Sequence, residues 1–513
     1  HDAQQAAIYR RQLAWRREAG LLPSGAEFIV LADPPGEDRR IGSGGATLRA
    51  LAEIGAKAAG GRVLIIHSGG DARRLPQCSV VGKLFARIPR QLPDGRASTV
   101  FDEFLISLSG LAPNLPPGAL IASGDVLLVF DHLQLTFRRA GVIGVAAAAP
   151  AEIARQHREY ASGADAPSPV AAYLPTPTAA ELARWSAIAA DNTVQIDTGL
   201  VWADRPTVAR LAELADRLAE AACGLNLYGD LLRPLAASTA LENYLADADD
   251  DPLTPELQAA RRIIWEHWRG APLTVERLQP AAFGHFRTSQ EYWQMVAGDP
   301  TLALLCGWDG AADAAGRPVL INATLAQNPA AENDRKSVGA TVARVPVIVD
   351  SRLQGPCAVA GAGIIANVET AAALTLPADL VLHQLPVTTG YVSRLYGLHD
   401  DPKRPLADPA ATFLNRPWAE WLADDVALTA ALWPDVAPTE RTLWNARLYP
   451  VCAEREQSLA LTLPLLHGAD ATAAWHAAWL AAPRLSLAES FRQADGERLL
   501  AETAALEDIV AAG

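Results

Sequence analysis

The chain has 513 residues, half of them apolar and one fifth charged, a composition typical of folded proteins and a length that calls for two or three domains. Acidic residues outnumber basic ones 58 to 44, a formal charge of −14, which argues against a general nucleic-acid binder but permits a local cationic loop around one nucleotide. Five scattered cysteines (Cys78, Cys223, Cys306, Cys357, Cys452) without a CxxC pair argue against a disulfide framework or zinc site and for a reducing, cytoplasmic setting; no signal peptide or 18-residue apolar run is visible.

Residues 3–19 read as a helix. Residues 27–32 form a short apolar run, as in a buried parallel strand. Gly42-Ser43-Gly44-Gly45-Ala46-Thr47 opens a helix expected to reach about residue 58. Val63–Ile66 is a second strand, running into Ser68-Gly69-Gly70 and a loop that closes at Gly82-Lys83. A helix over 100–110, strands at 119–122 and 142–148, and a strand over 194–202 follow. This alternation predicts a doubly wound, Rossmann-like α/β domain over 1–204, with ligands at the carboxyl ends of the strands.

From 205 to 300 the pattern reads as a helical insertion, with helices at 206–222, 227–246 and 255–268 separated by Gly224, Asp250-Asp251-Pro252 and Gly270. Around 319–370 apolar residues recur about every six positions (Val342, Ile348, Leu353, Val359, Ile365) with Gly355, Ala358, Gly361 and Gly363 between them. That texture predicts a parallel β-helix domain over 301–404, with ordinary strands and turns as the alternative. Residues 405–513 read as mainly helical, broken at Pro434 and Pro438.

Three features carry chemistry. Glycines at 42, 44 and 45 let backbone amides approach an anion, and the following helix adds its N-terminal dipole; Ser43 and Thr47 add hydroxyls, with a helix-entry turn that holds no ligand as the alternative. Ser68-Gly69-Gly70 forms a second backbone cradle, followed by Arg74 and Lys83. It is not a P-loop, but a bidentate guanidinium and a point-charge ammonium suit a departing pyrophosphate. Asp125 at a strand end and Asp197 about 70 residues later are the candidate Mg²⁺ ligands, with an Asx-turn or helix cap as the alternative for each. Asp102 reads as a helix-orienting residue. His67, Glu242-Asn243-Tyr244 and His285 are weaker candidates, the last two for a sugar pocket.

Ile41–Thr47, His67–Pro76 with Gly82-Lys83, Phe101-Asp102 and Gly124-Asp125-Val126 with Phe130-Asp131 resemble the pyrophosphorylase half of the bifunctional fucokinase/GDP-fucose pyrophosphorylases. Leu241–Tyr244 and Leu443–Leu448 resemble later pieces of the same family. The resemblance implies that GTP and L-fucose 1-phosphate give GDP-L-fucose and pyrophosphate with Mg²⁺. It also implies a nucleotidyltransferase domain followed by a left-handed β-helix. Carried over, the glycines of both loops with Arg74 and Lys83 hold the triphosphate, and Asp125, then Asp197, hold the metal. No Gly-rich kinase loop of the GHMP type is present, so a sugar kinase is expected as a fused or separate partner. The alternatives are a nucleotidyltransferase for another sugar 1-phosphate and a non-catalytic nucleotide-sugar module of a longer fucokinase.

Overall fold

Strands rich in Ala, Val, Leu and Ile build the first of two compact units. The computed structural model describes residues 3–34, 40–54, 61–162, 168–219, 221, 223–248, 252–279, 281–308, 317–326, 344–423 and 425–512. The first unit comprises His1–Ala6, Glu27–Ser68 and Glu103–Gly284; the second comprises Ala7–Ala26, Gly69–Asp102 and His285–Gly513. Helix α1 spans Ala3–Glu18, as its sequence predicts.

In the first unit a seven-stranded sheet contains β1 (Arg62–His67), β2 (Gly118–Ser123), β3 (Val142–Pro150), β4 (Glu159–Ser162), β5 (Ser168–Leu174), β6 (Thr193–Asp204) and β7 (Leu273–Leu278), in the order β1-β2-β6-β3-β7-β5-β4. β1 runs parallel to β2 and β3 parallel to β7; the remaining neighbours are antiparallel. The domain is therefore mixed α/β rather than doubly wound and parallel, because β6 returns antiparallel between β2 and β3. Central strands such as β2 carry continuous apolar runs, the pattern of strands covered on both faces.

Helices α2 (Gly42–Ile54), α4 (Arg205–Arg217) and α5 (Pro255–Trp268) bury Leu48, Leu51, Val208, Leu211, Ile264 and Trp268 with Ile121 and Val201 of the sheet; α3 spans Val100–Ser109. Asp204 caps α4 through the Thr207 amide, and Thr254 caps α5 through the Leu257 amide, each followed by a proline in the first turn.

Three sequence expectations change here. Residues 27–32 form no strand, and Ile29 is 46% exposed: an apolar run becomes a buried strand only when it has partners on its edges. The 227–246 segment is not one helix but short turns over Leu227–Leu232 and Arg233–Leu235 and a short helix Leu241–Leu245, with Pro234 inside. The stretch 205–300 also contains β7, an interior strand of the sheet, and a strand Ala281–His285, so it is not simply a helical insertion. Asp250, Asp251 and the expected continuation of α2 to residue 58 lie outside the described residues.

The second unit contains an eight-stranded sheet. Its main path runs β8 (Val319–Leu325), β9 (Pro346–Leu353), β10 (Gly363–Ala366), β11 (Leu380–Val387), β12 (Gly390–Gly397), β13 (Tyr449–Cys452) and β14 (Arg484–Leu485). β8 to β11 are parallel; from β11 onward each neighbour is antiparallel. Pro346 pairs with Gly363 and Gly363 with Leu380, and beside them Cys357 pairs with Leu374, a stagger of 17 residues each time. Asn322, Asp350 and Asn367 follow paired residues on three successive strands and share positive φ values of 49°, 46° and 55°. Asn and Asp tolerate this left-handed conformation better than other side-chain-bearing residues. The Nδ2 group of Asn322 donates to Oδ1 of Asp350 at 2.6 Å, linking two of these corners. Of the recurring apolar residues, Ile348, Leu353 and Ile365 are buried and Val359 is part-buried; Val342 lies outside the described residues. Beyond 405, helices alternate with short strands, two of which, β13 and β14, extend the sheet.

Candidate functional site

In the first unit the parallel pairing of β1 with β2 aligns His67 with Ser123, so the carboxyl ends of both strands lie together. The Gly124 amide donates to the His67 carbonyl at 2.8 Å, and a Cβ at Gly124 would sit 2.6 Å from that oxygen. Only glycine permits this closure. Asp125 follows it, and the Ser123 hydroxyl donates to Oδ1 of Asp125 at 2.7 Å. β6 runs beside β2, and its Gly199, at φ +76°, packs so that a Cβ would meet the Ser123 Cβ at 2.9 Å.

Asp197, buried on β6, accepts from the Gly199 amide at 2.8 Å and from the Tyr173 hydroxyl at 2.6 Å. Burial raises its carboxyl above the usual aspartate range, and these hydrogen bonds act against that rise. The Tyr228 phenol is pushed up by burial and then by the charge of Asp197, with a further push from Asp125. The two expected acids therefore act on one phenol within this unit. The Arg158 guanidinium lies 4.5 Å from the centre of the Tyr228 ring. Tyr173, Tyr228 and Arg158 are absent from the sequence-based site because tyrosines in apolar strands and turns read as core.

The first glycine loop is the first turn and a half of α2 rather than an open cradle. The amides of Gly44 and Gly45 both donate to the Leu225 carbonyl, at 2.7 and 3.3 Å, and Ser43 Oγ accepts from the Leu227 amide at 2.9 Å. Thr47 is buried; its hydroxyl donates to the Ser43 carbonyl at 3.0 Å and lies 2.8 Å from Nε2 of His67. A donating Thr47 hydroxyl requires Nε2 of His67 to carry the proton in that contact. Burial lowers His67 to about 4, so it is neutral at pH 7. Ala46 is part-buried between these residues.

Ser68 belongs to the first unit, whereas Gly69, Gly70, Arg74 and Lys83 belong to the second. Gly69, Gly70 and Ala72 have φ of 143°, 89° and 47°, a run that glycine makes accessible and that strains the alanine. Asp71 is buried and pairs with Arg73 at 2.8 Å, while Arg73 lies over the Trp444 ring at 5.9 Å. The side chains of Arg74 and Lys83 are part-buried. Gly82, at φ +76°, packs against Tyr9 so closely that a Cβ would overlap the Tyr9 hydroxyl. Lys83 opens the single turn Lys83–Phe85, and its charge pulls against the burial that pushes the Cys78 thiol up to about 12.

Asp102 holds Arg16 through two hydrogen bonds of 2.7 Å and accepts from the Thr99 amide and hydroxyl, which is the orienting role its position suggests. Tyr244 is buried with its hydroxyl on the Asp230 carbonyl, so it supports the helices rather than lining a pocket. Among the described residues no group of three or more His, Cys, Asp and Glu could hold a metal ion. A phosphate-bound Mg²⁺ needs fewer protein ligands, and Asp125, oriented by Ser123 at a strand tip, has the hard oxygen chemistry for it.

A model of the fucose pyrophosphorylase domain matches residues 56–454, beginning after the first glycine loop and spanning the second loop, Asp125 and Asp197. A fucose-1-phosphate guanylyltransferase of Mus musculus is 23% identical over 512 residues, covering 91% of this chain and 85% of that protein. One of Homo sapiens is 23% identical over 524 residues, covering 91% and 82%. A bifunctional fucokinase/GDP-fucose pyrophosphorylase of Arabidopsis thaliana is 25% identical over 511 residues, covering 88% of this chain and 46% of the longer relative.

Proposed function

Because this chain belongs to the fucose pyrophosphorylase family, we propose that it converts GTP and L-fucose 1-phosphate into GDP-L-fucose and pyrophosphate. The observation that carries the reading is the family match over 56–454, which includes Arg74, Lys83, Asp125 and Asp197.

An oxygen of the sugar phosphate attacks the α-phosphorus of GTP. The new P–O bond forms as the bond from that phosphorus to the α–β bridging oxygen breaks, and the electron pair leaves with pyrophosphate. The attacking oxygen is already anionic, so the step needs no general base. A neutral His67 engaged with Thr47 agrees with this. Arg74 and Lys83 take the charge that grows on the leaving pyrophosphate. Ser68, Gly69 and Gly70 offer backbone donors to the triphosphate.

For Gly42, Ser43, Gly44, Gly45, Ala46 and Thr47, the bonds to Leu225, Leu227 and His67 favour a supporting role over direct phosphate contact. Mg²⁺, if bound, would neutralise phosphate charge. Asp125 would be its first ligand and Asp197 the second, the latter already shared with Tyr173 and Gly199.

The 17-residue stagger and the left-handed corners at Asp350 and Asn367 support reading 344–387 as a short parallel β-helix. Five free cysteines support a reducing, cytoplasmic location, and no described helix is long and apolar enough to cross a membrane. A fused or separate sugar kinase would supply the sugar 1-phosphate, as the name of the longer Arabidopsis relative suggests.

The test is pyrophosphate release with GTP, ATP and UTP against L-fucose 1-phosphate and a panel of other sugar 1-phosphates. GTP with L-fucose 1-phosphate is expected to give the highest kcat/KM. A higher value for another sugar would reassign the substrate. GDP-sugar binding without any release would point to a non-catalytic module.

A further inference from the structure

Burying a guanidinium without a carboxylate is costly, and Arg394 on β12 is such a case. Arg394 is fully buried, and among the described residues no carboxylate pairs with it. Its Nη2 donates to the Pro76 carbonyl at 2.8 Å and to Nδ1 of His383, and its Nη1 donates weakly to Ser490 Oγ at 3.4 Å. Burial, with the charges of Arg394 and Arg455, holds His383 well below its ordinary pKa, so its ring accepts rather than competes. The strongest contact of this cation to the backbone is therefore to Pro76, two residues after Arg74.

The neighbouring backbone is held in the same way. Tyr396 lies two residues along β12 and so on the same face. Its hydroxyl donates to Oε1 of Gln77 at 2.8 Å. Ser289 donates its amide to the Arg74 carbonyl at 2.9 Å and its hydroxyl to the same Gln77 oxygen at 3.0 Å. The Cys78 carbonyl accepts from the Gly82 amide at 2.8 Å, which carries the restraint to the residue before Lys83. Every tether lies within the second unit.

We propose that Arg394 and Tyr396 are positioning residues that fix the Arg74–Lys83 segment, so that the sheet of the second unit sets the geometry of the phosphate-binding cations. The inference rests on the roles given above to Arg74 and Lys83. A small misplacement of a transition-state donor costs rate more than it costs affinity for the other substrate.

The experiment compares wild type, Arg394→Met, Arg394→Lys and Tyr396→Phe in the full chain, by melting and by steady-state pyrophosphate release. Methionine removes an unpaired buried charge at similar length, so the melting temperature is expected to hold. In Arg394→Met, kcat is expected to fall by about ten-fold or more while KM for L-fucose 1-phosphate stays within about two-fold. Arg394→Lys, which restores one donor, is expected to fall between it and wild type. Tyr396→Phe removes a single hydroxyl and is expected to show a smaller drop of the same kind; it decides the matter should Arg394→Met fail to melt cooperatively. Folded variants with kcat within about two-fold of an active wild type would overturn this proposal alone. An inactive wild type would overturn the functional reading and this proposal with it.

Discussion

The carbonyl oxygen of Leu225 accepts the amide of Gly44 at 2.7 Å, and a Cβ on the neighbouring Gly42 would sit 2.3 Å from that same oxygen. The glycines that open α2 thus admit another stretch of the chain to the helix N-terminus. Gly42 also has φ +69°, so a side chain there meets both strain and overlap. Gly42→Ala should destabilise the protein by about 2–3 kcal/mol. Urea unfolding measures it; an unchanged midpoint would show that the 225 segment moves aside freely.

Lys83→Ala, Arg74→Ala and Asp125→Asn should each lower kcat by about 10²–10³-fold, the usual loss on removing a transition-state charge partner. Their melting temperatures should stay close to wild type, since all three side chains are only part-buried. Turnover close to wild type in both Lys83→Ala and Asp125→Asn would remove these residues from the mechanism.

Glu159 gives a pH signature. Its side chain is buried on β4, where Glu159 pairs with Ile196 and Leu174, and the Gln195 backbone offsets only part of the cost of that burial. Burial pushes its pKa up to about 7 from an ordinary 4.5. Between these values the folded state binds more protons than the unfolded state, so this group costs stability as pH rises through the window. Glu159→Gln should raise the melting temperature at pH 8 and bring little change below pH 4.5. Calorimetric scans at both pH values check it, and an equal effect at the two would contradict the assigned burial.

Arg16 and Asp102 form a buried pair with two hydrogen bonds of 2.7 Å. Burial alone would raise the Asp102 carboxyl, but the Arg16 guanidinium and the Thr99 donors carry it below the usual range. Arg16→Met leaves a buried carboxylate without its counter-charge and should cost about 3–5 kcal/mol at pH 7. A depressed carboxyl contributes stability above its unfolded pKa and loses it as pH falls through the folded value. The gap between wild type and variant should therefore narrow in acid. Denaturant midpoints at pH 7 and pH 3 measure it; a gap that widened in acid would contradict the pairing.

Local chemistry was legible wherever it was self-sufficient. The third helix of the 205–300 stretch reads as 255–268 in the sequence and spans Pro255–Trp268, because Thr254 and Pro255 set its start without help from elsewhere. The recurring apolar residues at 348, 353 and 365 are buried, since strands paired in parallel at a constant 17-residue offset leave a period in the sequence. Residues 27–32 mislead because apolarity does not say whether a partner strand exists. Leu273–Leu278 does not show as a strand in the sequence because six residues after a strong helix are too few to show a period of their own. The candidate site divides in the same way. Gly124 and Asp125 announce a strand tip, but nothing near Arg158, Tyr173 or Tyr228 in the sequence reports that folding gathers them around Asp197. Nor does anything near Arg394 report that it reaches Pro76.

The most direct test of guanylyl transfer is phosphorus NMR of GTP, L-fucose 1-phosphate and Mg²⁺ incubated with the chain. Guanylyl transfer predicts that a pyrophosphate resonance and the paired resonances of a nucleoside diphosphate sugar grow together in equal amounts as GTP and the sugar phosphate disappear. A spectrum in which GTP persists, or in which pyrophosphate accumulates without the diphosphate sugar, would contradict it.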